Sequence, residues 1–78
     1  MREKKPSLIV TFHTTTAAMG AEKLCMELGV PGRLIPVPRE ITAGCGLAWK
    51  AAPGEEDRIV NALRSGGIEW AAMQVITV

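Results

Sequence analysis

The chain has 78 residues, of which 47% are hydrophobic, and its nine basic and eight acidic residues give a formal net charge of +1. This length and composition predict one small domain with a single hydrophobic core and argue against a disordered chain. The charge balance, with only one phenylalanine and two tryptophans, disfavours nucleic-acid binding, which needs a basic surface and stacking side chains.

The cysteine and histidine content argues against a metal site. The chain contains two cysteines, Cys25 and Cys45, and one histidine, His13. Two cysteines are too few for a disulfide framework, and their spacing matches no zinc-ligand pattern. We therefore expect no metal and no cofactor. The apolar run at residues 8–10 is too short for a signal peptide or a membrane span, and free thiols without an export signal predict a cytoplasmic protein.

The first half of the chain predicts a strand followed by a helix. Residues 7–12 are apolar and β-branched, which is typical of a strand buried on both faces. Thr14 begins a run of three threonines that can supply a helix N-cap. Gly29 is expected to end the helix at its C′ position. Across residues 17–28, apolar spacings of three and four predict that the helix buries Ala17, Ala21, Leu24, Cys25 and Leu28.

The second half predicts two strands, a second helix and a last strand. Residues 33–38 are extended, and two prolines within them place this segment at a sheet edge or a strand end. Residues 46–50 form the next strand. Pro53 and the acids after it open a helix that ends at residues 65–67. The last strand lies within residues 68–78.

This order predicts an α+β, ferredoxin-like fold, β-α-β-β-α-β, with an antiparallel sheet and both helices on one face. Residues 1–6 are expected to form a disordered or loosely held basic tail, and residues 7–78 a single domain. The topology predicts one rim that holds the end of the first strand, the start of the first helix and the connection between the second and third strands. Ser65, Gly66 and Gly67 are expected on the same rim.

Cys45 is the candidate reactive residue on this rim. A thiol reacts as the thiolate, which a positive charge or a helix N-terminus stabilises. Arg39, His13 and the helix start at Thr14 are candidate sources of that stabilisation. A structural turn with an inert cysteine is the competing interpretation.

The glycines on either side of this cysteine, Gly44 and Gly46, leave room beside the sulfur and expose backbone N–H groups. The second thiol, Cys25, lies on the apolar face of the predicted helix, so we expect it to be buried and structural.

Residues 34–48, Leu-Ile-Pro-Val-Pro-Arg-Glu-Ile-Thr-Ala-Gly-Cys-Gly-Leu-Ala, resemble the hallmark segment of a small bacterial family of selenium/sulfur carrier-like proteins. Members carry Ile-Pro-x-Pro-Arg-x-Ile running into Cys-Gly, and Thr-Phe-His-Thr-Thr at residues 11–15 fits the family's opening as well. The resemblance covers most of the chain. It implies that Cys45 holds sulfur or selenium in a persulfide-type adduct, with a loop shaped by Pro36, Pro38, Arg39 and Gly46.

The leading hypothesis is therefore a carrier without enzymatic turnover. Its expected partners are a protein donor of sulfur or selenium, such as a cysteine desulfurase, and a protein acceptor, with no nucleic acid and no membrane. The alternative is a ferredoxin-like interaction or small-ligand-binding regulatory module in which Cys45 is structural. Such a module could form a homodimer through the apolar last strand at residues 71–76. A thiol redox enzyme is disfavoured because the chain has no Cys-x-x-Cys.

Overall fold

The computed structural model describes residues 5–37 and 46–77. The strands are β1 (Pro6–Thr11), β2 (Arg33–Pro36), β3 (Leu47–Ala51) and β4 (Ala72–Thr77). The helices are α1 (Thr15–Glu27) and α2 (Glu56–Ser65), and a 3-10 turn (Pro53–Glu55) leads into α2. The predicted element order is therefore confirmed. Neither helix in the described part of the chain is long and apolar enough to cross a bilayer.

The four strands form one antiparallel sheet in the order β2-β3-β1-β4. This is the ferredoxin-like arrangement, in which β3 lies between β1 and β2. Thr11, at the end of β1, is opposite Ala48 of β3 and Ala72 of β4. The end of β1 is therefore level with the beginnings of both neighbouring strands, and this level defines one rim of the sheet.

One hydrophobic core joins the sheet to both helices. It contains Leu8, Val10 and Phe12 from the β1 segment, Trp49 and Ala51 from β3, Ala18, Ala21 and Cys25 from α1, and Ile59 and Leu63 from α2. Because both helices contribute to the same cluster, they cover the same face of the sheet, as predicted. The alternate residues Ile9 and Thr11 face the other way and are also buried. The prediction that the first strand is buried on both faces is confirmed.

The apolar stripe of α1 differs in part from the sequence prediction. Ala21 and Cys25 are buried as expected, and Ala18 is buried with them. Leu28 was expected inside the core, but 55% of its surface is exposed. The physical reason is that Leu28 is the C-cap of the helix, one residue past the last helical turn, where the chain leaves the packed face.

Gly29 ends α1 as predicted, in a Schellman motif. Its N–H donates to the Met26 carbonyl at 3.3 Å, and the Val30 N–H donates to the Cys25 carbonyl at 2.8 Å. Val30 then packs against the core. The end of the helix is thus fixed by two hydrogen bonds and one apolar contact.

The two edges of the sheet are β2 and β4. Pro36 is the last residue of β2, which confirms the predicted placement of the proline segment at an edge and a strand end. On the opposite edge β4 carries no charged residue, and Val75 is 49% exposed. Self-association through this last strand stays a prediction.

The segment that ends α2 does not lie on the rim, and this expectation was wrong. Ser65 lines the same groove as Leu28 and Gly29 at the C-terminal end of α1, and a Cβ atom on Gly66 would overlap the Leu24 side chain. The reason is that the ten residues of α2 span only about 15 Å. The chain returns to the rim at Ala71, whose N–H donates to the Thr11 carbonyl at 2.7 Å.

Candidate functional site

The candidate site begins at the rim where the β2–β3 ladder ends. The ladder pairs Pro36 with Leu47, and the Val37 N–H then donates to the Gly46 carbonyl at 2.9 Å. Val37 and Gly46 therefore fix the two ends of the connecting segment, residues 38–45, in one place.

His13 follows the end of β1 at this rim. The register between β1 and β3 ends with Thr11 opposite Ala48, so His13, two residues after Thr11, and Gly46, two residues before Ala48, both lie beyond the paired part of these two strands. His13 is exposed, whereas Phe12 just before it is fully buried. The chain thus leaves the core at this point.

Gly46 has a backbone conformation that favours glycine. Its φ is +78°, which lies in the left-handed region that costs other L-residues roughly 1–2 kcal/mol. Apart from its chain neighbours, no atom of the described residues lies within 4 Å of the position that a Cβ would occupy. The positive φ, and not a close neighbour in the described part of the chain, is therefore what favours glycine here.

Thr14 is the N-cap of α1, as predicted. Its side-chain oxygen accepts a hydrogen bond from the Ala17 N–H at 3.1 Å, and its carbonyl accepts one from the Ala18 N–H at 3.1 Å. The N–H groups of Thr15 and Thr16 have no acceptor within the helix, as at any helix start. With no acidic side chain in the first turn, the N-terminus of α1 presents partial positive charge at this rim.

Cys25 lies in the hydrophobic core and not at this rim. Its side chain is fully buried in the core, and burial raises the pKa of its thiol because the charged thiolate loses hydration. At neutral pH it is therefore a neutral, enclosed thiol. The prediction of a buried structural role for Cys25 is confirmed.

The remaining predicted site residues lie outside the described residues. These are Pro38, Arg39, Gly44 and Cys45. Of the other predicted residues, Pro36, Gly46, His13 and Thr14 belong to the same rim. The described structure therefore brings together the residues that flank the connecting segment.

A second group of polar residues at the opposite end of the sheet was missed from the sequence. Lys5, Arg33 and Lys50 line one concavity there. Strand alternation alone puts Arg33 and Lys50 on the side away from their core-facing neighbours. Their juxtaposition, however, depends on the β2–β3 register, which the sequence does not specify on its own.

The fold and the rim define a small α+β protein whose second and third strands are joined by a cysteine-containing connection. A sequence model of the family described as "Putative Se/S carrier protein-like" matches residues 7–74. The chain belongs to this family, which confirms the predicted family resemblance. Comparison with curated proteins and with solved structures finds no match.

Proposed function

We propose that the protein carries sulfur or selenium as a persulfide-type adduct on Cys45 and passes it between partner proteins. One observation carries the proposal. The chain has two cysteines, and Cys25 is enclosed in the hydrophobic core. In a family described as carrier-like, a thiol-based carrier function then falls to Cys45.

The transfer step needs an accessible thiolate and no deep pocket. The Cys45 thiolate would attack the terminal sulfur of a persulfide on a donor protein, forming a new S–S bond on Cys45. The S–S bond of the donor breaks, and the donor sulfur leaves as a thiolate. The terminal sulfur keeps its oxidation state, so this exchange requires no external oxidant or reductant. Delivery repeats the exchange, with the acceptor thiolate as the attacking group.

The described rim offers features that suit such a thiol. Among the described residues, no atom other than those of its chain neighbours lies within 4 Å of the Cβ position of Gly46, which supports room there for a second chalcogen atom and for the approach of a partner. The N-terminus of α1 supplies partial positive charge, which favours a thiolate or a persulfide anion nearby. We propose Arg39 and His13 as the side chains that assist, with Pro36, Pro38 and Gly44 shaping the connection.

This function implies protein partners and no turnover of a small-molecule substrate. The donor would be an enzyme that generates a protein persulfide, such as a cysteine desulfurase, and the acceptor a second protein thiol. We propose that this exchange takes place in the cytoplasm, where free thiols are kept reduced. The chain then acts as a carrier and not as an enzyme.

The proposal is tested by loading the protein with a cysteine desulfurase and cysteine, followed by intact mass measurement. The wild type is expected to gain one sulfur atom, which a reductant removes. Cys25→Ser is expected to load as the wild type does, and Cys45→Ser to remain unmodified. Loading of Cys45→Ser at the wild-type level would overturn the proposal. Full function of Cys45→Ser in the host would favour the regulatory-module alternative.

A further inference from the structure

The end of the sheet opposite the His13 rim contains a cationic concavity of about 400 Å³. Three strands form it: the beginning of β1, the beginning of β2 and the end of β3. Its basic side chains are Lys5, Arg33 and Lys50, and the remaining lining residues are Pro6, Ser7, Gly32, Ala51 and Ala52. No carboxylate is among the described residues that line it.

The register places two of these cations in direct opposition. Arg33 of β2 is the Cα partner of Lys50 of β3. The next residue of β2, Leu34, and the residue before Lys50, Trp49, pack into the core. Because strand side chains alternate, Arg33 and Lys50 both lie on the face away from the helices. Like charges directly opposite each other on adjacent strands destabilise a sheet.

Lys5 and Ser7 complete this group from the β1 side. Ser7 precedes the core residue Leu8 and therefore belongs to the same face as the two opposed cations. It is buried, and its hydroxyl donates to the Lys5 carbonyl at 3.3 Å. That hydrogen bond holds the backbone of Lys5 next to the concavity, so that a third positive charge lines it.

The described acids are found in other parts of the fold. Glu22 and Glu27 belong to α1, Glu56 and Asp57 to the first turn of α2, and Glu69 to the segment between α2 and β4. The ion pair found in the described structure joins Arg58 to Glu55 on the helical side, at 3.6 Å. The described strands contain no acidic residue, so none of them supplies an acidic partner to the three cations of the concavity.

From this arrangement we infer that the concavity binds a small molecule through a tetrahedral oxyanion group of the phosphate or sulfate type. An oxyanion between Arg33 and Lys50 converts their repulsion into two charge-assisted interactions. A guanidinium matches the planar spacing of two oxyanion oxygens, and an ammonium adds a compact point charge. The volume lies in the range of small-molecule sites. This site is independent of persulfide chemistry at Cys45.

The test is a titration of the protein with anions, in which two-dimensional NMR measures the amide chemical shifts at each anion concentration. Inorganic phosphate, sulfate and pyrophosphate are added separately at constant ionic strength, with chloride as the balancing anion. We expect saturable shifts centred on Ser7, Arg33 and Lys50. The anion that binds most tightly distinguishes a phosphate source from a sulfate source.

The matched variants are Lys50→Gln in the concavity and Lys23→Gln on the exposed surface of α1. Each removes one positive charge. We expect Lys50→Gln to weaken binding about tenfold, because it removes one charge-assisted hydrogen bond, and Lys23→Gln to leave it within twofold of wild type. Arg33→Gln provides a second variant if Lys50→Gln fails to fold. Cys45→Ser is expected to bind the anions unchanged.

Equal weakening by Lys50→Gln and Lys23→Gln would overturn the inference, because it would indicate diffuse charge attraction. Shifts that spread over all basic residues without saturation would do the same. Binding of an acidic peptide in the absence of any phosphate, sulfate or pyrophosphate binding would also contradict it, since the concavity would then serve a protein partner.

Discussion

Cys25 and Cys45 differ in the part of the chain that surrounds them. Cys25 is in the middle of α1, surrounded by the core, and its pKa is raised by burial. Cys45 immediately precedes Gly46, which is exposed and has no atom of the described residues, apart from chain neighbours, within 4 Å of its Cβ position. The core therefore encloses one of the two thiols, and the other is the one that we propose for exchange with a partner.

The core and the rim of this fold offer a thiol different chemical surroundings. The core of β1, α1 and α2 excludes water, which suppresses the reactivity of any thiol inside it. The rim at His13 and Gly46 is built from chain ends: the end of a strand, a helix N-terminus and the end of a hairpin ladder. Such places expose backbone N–H and C=O groups, which suits the proposed carrier function.

The largest expected effect is a difference in alkylation rate between the two thiols. In the native protein, iodoacetamide is expected to modify Cys45 at least about a hundredfold faster than Cys25, because a buried thiol reacts only after an opening reaction that costs several kcal/mol. Peptide mass mapping over time measures both rates. In urea, where the core is lost, the two rates should converge. Equal alkylation rates in the native protein would show that the two thiols do not differ in accessibility.

A smaller effect is expected at Gly46. Gly46→Ala should lower the free energy of unfolding by about 1–2 kcal/mol, because alanine in the left-handed region is strained. Gly54→Ala is the matched control, since Gly54 has no positive φ and has open space at the Cβ position. Urea unfolding measures both variants, and the loading assay then compares their rates. An unchanged free energy of unfolding in Gly46→Ala would contradict the claim that the positive φ of this residue favours glycine.

The smallest effect is the contribution of Cys25 to pH-dependent stability. Because burial raises its pKa in the folded state, the folded protein holds this proton more tightly than the unfolded chain does. The contribution is complete below the unfolded pKa of about 8.5 and is lost as the pH rises through the folded pKa.

The decline is at most about 1.4 kcal/mol per pH unit, the limit for one proton. Urea unfolding between neutral pH and mildly alkaline pH measures it, with Cys25→Ala as the control in which this component is absent. A wild type and a Cys25→Ala protein with identical pH slopes would contradict the assignment of the raised pKa to Cys25.

Much of the fold could be predicted from local sequence signals. The β-branched run of β1, the threonine N-cap, the glycine that ends α1 and the proline at the end of β2 each act within a few residues. Such signals depend on backbone chemistry that is the same in any protein. These local signals predicted the order of the strands and helices and the burial of β1 on both faces.

The predictions that were wrong or missing concern how helices and strands are placed relative to one another. Leu28 matched the helical spacing but lies one residue past the last turn, so periodicity alone misassigned it. Ser65 and Gly66 were placed on the rim because successive elements alternate in direction. The short length of α2 instead leaves Gly66 beside Leu24 and Ser65 in the groove with Leu28. Likewise, the opposition of Arg33 and Lys50 follows from a register that only the assembled sheet defines.

The assignment of the carrier thiol to Cys45 is tested by locating the added sulfur in the wild-type protein. After native loading by a cysteine desulfurase, the persulfide is capped with an alkylating reagent, and the peptides are analysed by tandem mass spectrometry. We expect the mass of one additional sulfur atom on the peptide that contains Cys45, with the Cys25 peptide unmodified. Additional sulfur on Cys25 alone, or on neither peptide, would rule out Cys45 as the carrier.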